Sequence, residues 1–368
     1  MAPYTPERLP IDSLDRAALF TAVGEANATL ARYDGLLMGM VNPTVMLSPL
    51  TNQEAVLSSR IEGTQATVEE VLEYEAGEEA HDEQKRRDIQ EILNYRRALL
   101  LAKESVADRP IRLGLVRELH RILMDSVRGN DKEPGQFRKV QNWIGPPGCS
   151  IEEATFVPPG PLQLMDHLQA WEAYLASDDI DPIVQTAIVH AQFELIHPFK
   201  DGNGRIGRLL IPLFLYSKGR LGSPMFYLSA YLERQRDEYY ARLRAISQQR
   251  DWTGWCAFFL RAVTAQAQQN GAVLREIMAL YEVAKTQVRD LTRSPHSAQL
   301  VDALFDRPIF TVADIARRAD VPKPTMHKLI KTLLDEGILH TVREASGRRP
   351  AILAFAEPLN TLERKQLV

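Results

Sequence analysis

Apolar positions recur three and four residues apart through most of this chain, which predicts a mainly α protein with one small hairpin mid-chain and a β-ribbon near the end. The first fifty residues, rich in proline and small apolar side chains, read as an irregular entry followed by short helical pieces. A helix is expected from Gln53, with Val56, Leu57 and Ile61 as its apolar positions and Gly63 as its stop. A second begins at Thr67, which with Glu70 matches a capping box ahead of the stripe Val68, Val71 and Leu72. The charge-rich residues 76–90 read as a solvated helix face or loop. Helices are expected over 87–104 and 111–126, the second with Leu113, Val116, Leu119, Leu123 and Met124 on one side. Residues 127–162 collect turn signals and read as a long functional loop holding a small hairpin, with a strand at 154–157. Helices return at 163–176, 182–196, 205–217 and 233–283.

Beyond residue 290 the segment RSPHS reads as a linker. Helices at 311–319 and 323–336, then a ribbon over 338–355 turning at Ser346 and Gly347, resemble a winged helix-turn-helix. The expected organisation is an N-terminal helical region (1–95), a helical core (96–285) and the winged module (286–368). Composition narrows the class. With 368 residues, 45% hydrophobic and 25% charged, the chain can bury real cores and is neither disordered nor fibrous. Cys149 and Cys256 are too few for a disulfide framework or a cysteine-based zinc site and suit a reducing, cytoplasmic setting. The opening residues carry no signal-peptide core, and no apolar run reaches the roughly 18 residues of a membrane span, so no membrane partner is expected. A net charge of −4 excludes a polycation built to coat nucleic acid.

Candidate chemistry concentrates in HPFKDGNGRIGR, His197 to Arg208, between two apolar helices. Gly202 and Gly204 let the backbone approach a ligand, and the following helix N-terminus turns free N–H groups into the turn, which makes an anion site. Arg205 and Arg208, at i and i+3, are placed to converge on phosphates. Asp201 is a hard oxygen ligand suited to Mg²⁺, and His197 is a candidate general base. Each has a duller reading: a structural histidine, a turn-forming aspartate, arginines that solvate a helix. The glycines also spell GxGxxG, but a dinucleotide fingerprint must follow a strand, and this one follows a helix. His190 and His197 stand two helical turns apart, beyond joint reach of a metal. Pro212, inside the second helix, is expected to remove one backbone bond there.

HPFKDGNGR with Arg208 three residues on resembles the Fic family motif HxFx(D/E)GNGRxxR at every fixed position. The likeness extends to PGQFRK at 134–139, FVPP at 156–159, TAIVHAQFELIHPF leading into the motif, and Tyr239 with Tyr240, and so covers roughly residues 50–260. It implies a helical Fic core with a small hairpin flap and a protein adenylyltransferase that moves AMP from ATP to a hydroxyl side chain. By resemblance, His197 takes the hydroxyl proton and Asp201 holds Mg²⁺ between the α- and β-phosphates. Gly202, Asn203, Gly204 and Arg205 stabilise phosphate charge, and Phe199 packs beneath the turn. Thr155, Phe156 and Val157 would form the flap that aligns the target as an added strand. Gln192, Tyr239 and Tyr240 are weaker candidates for the nucleotide wall. Ser58 to Gly63, SSRIEG, resembles the family's inhibitory motif (S/T)xxxE(G/N), with Ser58 and Glu62 on one helix face. In such proteins the glutamate pairs with the second motif arginine, here Arg208, which otherwise receives the γ-phosphate. In some relatives the same glutamate aids AMP removal.

In the last module Lys323, His327, Lys328 and Lys331 sit on the second helix, with Arg343, Arg348 and Arg349 in or near the wing, as a DNA reader would carry them. Asp335, Glu336 and Glu344 dilute that charge, and such modules also dock proteins. Three readings stay open: a self-restrained adenylyltransferase, a transcription regulator with a nucleotide-sensing Fic core, and a Fic core that moves another group. GNGR argues against relatives that transfer phosphate, whose second glycine is replaced by lysine. By analogy with relatives, apolar helices leave room for a homodimer.

Overall fold

A computed structural model describes residues 2–125, 132–146, 148–179 and 181–364, the side chains of 362–364 excepted. The expected helix end at 126 and the loop residues 127–131 and 147 lie outside the described residues. The elements run α1 (Arg16–Met38), α2 (Pro43–Met46), α3 (Ser48–Ile61), α4 (Val68–Glu75), α5 (Glu83–Asp108), α6 (Leu113–Leu123), α7 (Leu164–Ala176), α8 (Pro182–Ile196) and α9 (Asn203–Ser217). They continue with α10 (Ser229–Arg234), α11 (Arg236–Gln249), α12 (Trp252–Thr292), α13 (Ser297–Asp306), β1 (Ile309–Phe310), α14 (Val312–Arg318), α15 (Lys323–Asp335), β2 (His340–Arg343), β3 (Ile352–Ala354) and α16 (Glu357–Arg364). The mainly α reading holds, with one three-stranded antiparallel sheet ordered β1-β3-β2.

Several expectations give way. Besides the short helix α2, the first fifty residues contain α1, one 23-residue helix where only short helical pieces are expected. Its buried positions Leu19, Ala26, Leu30, Tyr33 and Leu37 keep the 3–4 spacing that the surrounding small residues obscure. The expected helix over 233–283 is three helices. Arg250 turns left-handed at φ 59°, and the Asp251 carboxylate accepts from Gly254 N at 2.8 Å, capping the start of α12. Helix α13 and strand β1 were not expected. The hairpin in the middle is reduced to one antiparallel bridge, Ile144 with Phe156.

The residues group into two compact units. The first comprises residues 1–35, 57–64 and 90–268. Its centre is α8, buried on almost every face between α7, α9 and α11. Asp181 starts this helix by accepting from Ile183 N and Val184 N, and Pro182 fits its first turn, where no donor is needed. Indole N–H groups of Trp255 and Trp171 donate to the α8 carbonyls of Ala187 and Val189.

The second unit comprises residues 36–56, 65–89 and 269–368. The expected boundaries at residues 95 and 285 fall inside α5 and α12. Helix α4 is begun by the expected capping box of Thr67 and Glu70. Its apolar face has its partner far along the chain: Leu72 packs with Ile309, Ile352, Ala354 and Leu359. The segment after α4 is not simply solvated, because Glu78 and Glu79 pair with Arg343 and Arg349 of the wing at 2.5 Å each. Leu72→Ala should therefore destabilise this unit by about 2–5 kcal/mol in denaturant unfolding, whereas Phe20→Ala, at an 81% exposed position, should stay within about 0.5 kcal/mol.

Candidate active site

The turn between α8 and α9 brings the motif together. His197 ends α8 in the left-handed conformation (φ 51°, ψ 61°), and Gly202 begins α9 at φ 77°, a value glycine adopts without a side-chain clash. The side chains beneath are fully engaged. Asn203 Oδ1 accepts from Phe199 N and its Nδ2 donates to Phe199 O, at 2.8 and 2.9 Å. Phe199 stacks on His120 with ring centres 3.7 Å apart. His120 Nδ1 accepts from Gly135 N, which leaves Nε2–H to donate to Asp201 O at 3.0 Å. Burial pushes His120 down to about 4, so it is neutral as that pattern requires.

Above the turn lies a cavity of about 660 Å³, lined by Glu62, Trp143, Ile144, Thr155, Phe156, Glu194, His197, Gly204, Arg208, Tyr239 and Tyr240 among others. His197 Nδ1 faces Glu194 O at 3.3 Å, an arrangement in which Nδ1 carries the proton and Nε2 keeps a lone pair. Burial, with Arg138 adding to it, lowers its pKa to about 4 against the hydrogen bond to Glu194 O and the opposing charges of Glu62 and Asp201. Arg208 is buried. Its Nε donates to Ser58 Oγ at 3.0 Å, and its Nη2 donates to Ser58 O at 2.8 Å and to Glu62 Oε1 at 2.7 Å. Burial alone would raise the Glu62 pKa, but the charge and hydrogen bond of Arg208, with Arg205 and His197 behind, hold it below the ordinary value. A Cβ on residue 204 would stand 2.2 Å from Glu62 Oε1, so glycine there leaves the room the carboxylate occupies on the first turn of α9. Gly63, at φ 104°, ends α3 directly after it.

Residues 20–104 match the family model for the Fic/DOC family N-terminal region, and residues 110–215 match that of the Fic/DOC family. The chain belongs to the Fic/DOC family. Residues 298–343 match the IclR helix-turn-helix domain. The chain is similar to the protein adenylyltransferase Fic of Drosophila grimshawi, 28% identical over 250 residues that cover 66% of this chain and 45% of that protein. Its counterpart in Drosophila erecta is 34% identical over 136 residues, 36% of this chain and 24% of that protein. This Fic chain thus spans less than half the length of these curated relatives. Among solved structures, a Fic family protein from Desulfovibrio desulfuricans G20 is 20% identical with TM-score 0.57, covering 97% of this chain and 98% of that one. Fic-1 from C. elegans is 21% identical with TM-score 0.53, covering 70% and 73%. These structures share the Fic fold.

Within this Fic core, several candidate residues sit otherwise than expected. The two motif arginines diverge: Arg205 Nη1 donates to Glu91 Oε2 at 2.7 Å in a fully buried pair, while Arg208 turns to Ser58 and Glu62. Asn203 spends its amide on Phe199. Gln192 is off the cavity wall and donates to Glu7 O at 3.0 Å. Tyr239 and Tyr240 do line the cavity, Tyr239 with its hydroxyl 2.9 Å from His190 Nε2. Thr155 and Phe156 face it too, but Val157 is buried and its carbonyl accepts from Tyr4 N at 2.8 Å. Asp201 Oδ1 accepts from Gly202 N and lies 3.6 Å from Arg205. Its carboxylate is partly exposed, and no cluster of three metal-ligating acids, histidines or cysteines occurs among the described residues. One exposed carboxylate fits Mg²⁺ that is held chiefly by phosphate oxygens and water.

His120, Arg138 and Glu194 receive no role from the sequence pattern, although Arg138 and Glu194 lie within the stretches PGQFRK and TAIVHAQFELIHPF, because a buried polar side chain carries no periodic signal. Glu194 lines the cavity and fills the space a side chain at Gly207 would need, with its Oε1 buried and without a hydrogen-bond partner among the described residues. Burial raises its pKa to about 8, with Arg208 opposing and Glu62 adding to the rise. The folded protein then binds the proton more tightly than the unfolded chain, whose value is near 4.5, so Glu194 removes stability as pH rises from about 4.5 to 8. Glu194→Gln, which keeps the neutral shape, should become progressively more stable than the wild type across that window, as urea midpoints at stepped pH would show.

Proposed function

We propose that this chain is a protein adenylyltransferase restrained by its own Glu62. The observation that carries the reading is the shared cavity: a neutral His197 with a free Nε2 faces the same space as an anion-binding helix start whose arginine, Arg208, is held by a carboxylate. The likeness to proteins named adenylyltransferase supports AMP as the group moved.

In this reading a target Ser, Thr or Tyr hydroxyl gives its proton to His197 Nε2 as its oxygen bonds the α-phosphorus, and the bond to the β-phosphate oxygen breaks to release pyrophosphate. The negative charge of bound phosphates raises the imidazole pKa from its low resting value and makes it a better base. The first amides of α9 and Arg208 bind the phosphates, and Tyr239 and Tyr240 wall the nucleotide. Asp201 would hold Mg²⁺, which when bound supplies positive charge to the phosphate oxygens. Trp143, Ile144, Thr155 and Phe156 would meet the target chain. Glu62 opposes all of this by sitting where an anion would bind and by occupying Arg208.

A coupling of about 1–3 kcal/mol corresponds to roughly 5- to 150-fold suppression, so Glu62→Gly should raise automodification by labelled ATP to that extent and His197→Ala should remove it. Intact mass should increase by one AMP unit. Equal labelling of the two variants would defeat the assignment.

A second reading concerns the helix-turn-helix. On α15, Lys323, Lys328 and Lys331 are exposed, as is Arg348 beyond β2, and we propose that they contact duplex DNA phosphates. Affinity for a random duplex should then fall steeply with rising salt, and Lys328→Ala should lessen the slope. Weak, salt-independent retention would count against DNA as the partner.

A further inference from the structure

One cation near the site has no assigned part in the reaction. The guanidinium of Arg138 is buried, and every hydrogen bond it makes among the described residues goes to a main-chain carbonyl. Nε donates to His197 O at 2.9 Å, and Nη2 donates to Ile196 O at 3.3 Å and Pro159 O at 2.6 Å. Nη1 reaches Val140 O at 3.4 Å, and the Arg138 amide donates to Pro198 O at 2.9 Å. Burial lowers its pKa to about 10, with no carboxylate opposing that shift. A charge buried in this way is costly unless its donors are well met, and carbonyls at the negative end of a helix are favourable partners for a cation.

The carbonyls come from three places. Ile196 and His197 form the last turn of α8 and its left-handed end. Val140 precedes the flap arm that carries Trp143 and Ile144, and Pro159 follows the arm of Thr155 and Phe156. Between the arms themselves, the described contacts include the single Ile144–Phe156 bridge and the Thr155 hydroxyl bond to Ile144 O. Nearby, Gln141 Nε2 donates to Pro158 O and Asn142 Nδ2 to Phe199 O, so the same short stretch touches both flap and turn. A planar guanidinium can serve several diverging acceptors at once, whereas an ammonium on a flexible stem cannot keep that geometry.

We propose that Arg138 is a positioning residue that holds the His197 turn and both roots of the flap in one register, so that the imidazole and the bound target chain meet at a set distance. Its kinetic consequence rests on the transfer reaction proposed above; its structural consequence does not. Its guanidinium bonds both segments at once, beside the Asn142 bond to Phe199 O, and they loosen together when it is lost.

The test uses the full chain carrying Glu62→Gly, alone and with Arg138→Lys or Arg138→Met, and reads amide hydrogen exchange and steady-state kinetics. Arg138→Lys should speed exchange in peptides over both 140–159 and 194–204 while leaving α7 and the first half of α12 unchanged. It should lower kcat with protein target roughly 10- to 100-fold. KM for ATP should stay within about twofold, since Arg138 contacts neither Arg208 nor the first amides of α9. Unchanged exchange in either segment, or a KM that rises as far as kcat falls, would overturn the proposal. If Arg138→Met does not fold, Arg138→Lys still decides. If the Glu62→Gly parent transfers no AMP, the proposed function fails while the exchange result still judges the tie.

Discussion

Two consecutive helices that must end and begin within six residues impose the constraint on which the first unit depends. The chain reverses through a left-handed His197 and a left-handed Gly202, and this leaves the negative end of α8 and the positive start of α9 side by side. Neither end can be left bare in a buried setting. Arg138 satisfies the carbonyls of the first, Asn203 and His120 close the turn between, and in the proposed reading the amides of the second receive an anion. The surrounding side chains thus serve the backbone first and ligands second.

The electrostatics of the cavity follow from placing two carboxyl groups near one buried arginine. Arg208 can fully compensate only one, and the hydrogen bond goes to Glu62, which stays ionised, while Glu194 is pushed towards its neutral form. Arg205 is already committed to Glu91. A phosphate entering this cavity would compete with a carboxylate for the same guanidinium, and inhibition in the proposed reading is that competition. The neutral state of His197 comes from the same burial that strengthens the ion pair.

The motif was legible because its chemistry is local: glycines at a turn, a proline after the histidine and arginines on the next helix sit within twelve residues of one another. The α8 and α9 helices were legible from their apolar content and from Asp181 and Pro182 at the start of α8. Helix α1 was obscured by its alanines, glycines and threonines, which blur a stripe that packing nonetheless reads. The break at Arg250 hid in an otherwise helical run because a left-handed arginine leaves no compositional trace, although Asp251 three residues before Gly254 was a capping signal available to be read.

Local pattern was enough to specify most of the helices, though not α13 or the extent of α1, that a glycine turn separates α8 from α9, and that Ser58 and Glu62 share a face. Where those faces point was settled by long-range packing, since apolar surface and buried charge accept any partner of suitable shape. Thus α4 found the sheet of a module more than two hundred residues on, Arg205 turned to Glu91, and Arg138, given no role by the sequence pattern, gathered carbonyls from three separate segments. A side chain's partner is a property of the folded neighbourhood, and spacing along the chain constrains it only within a turn or two of helix.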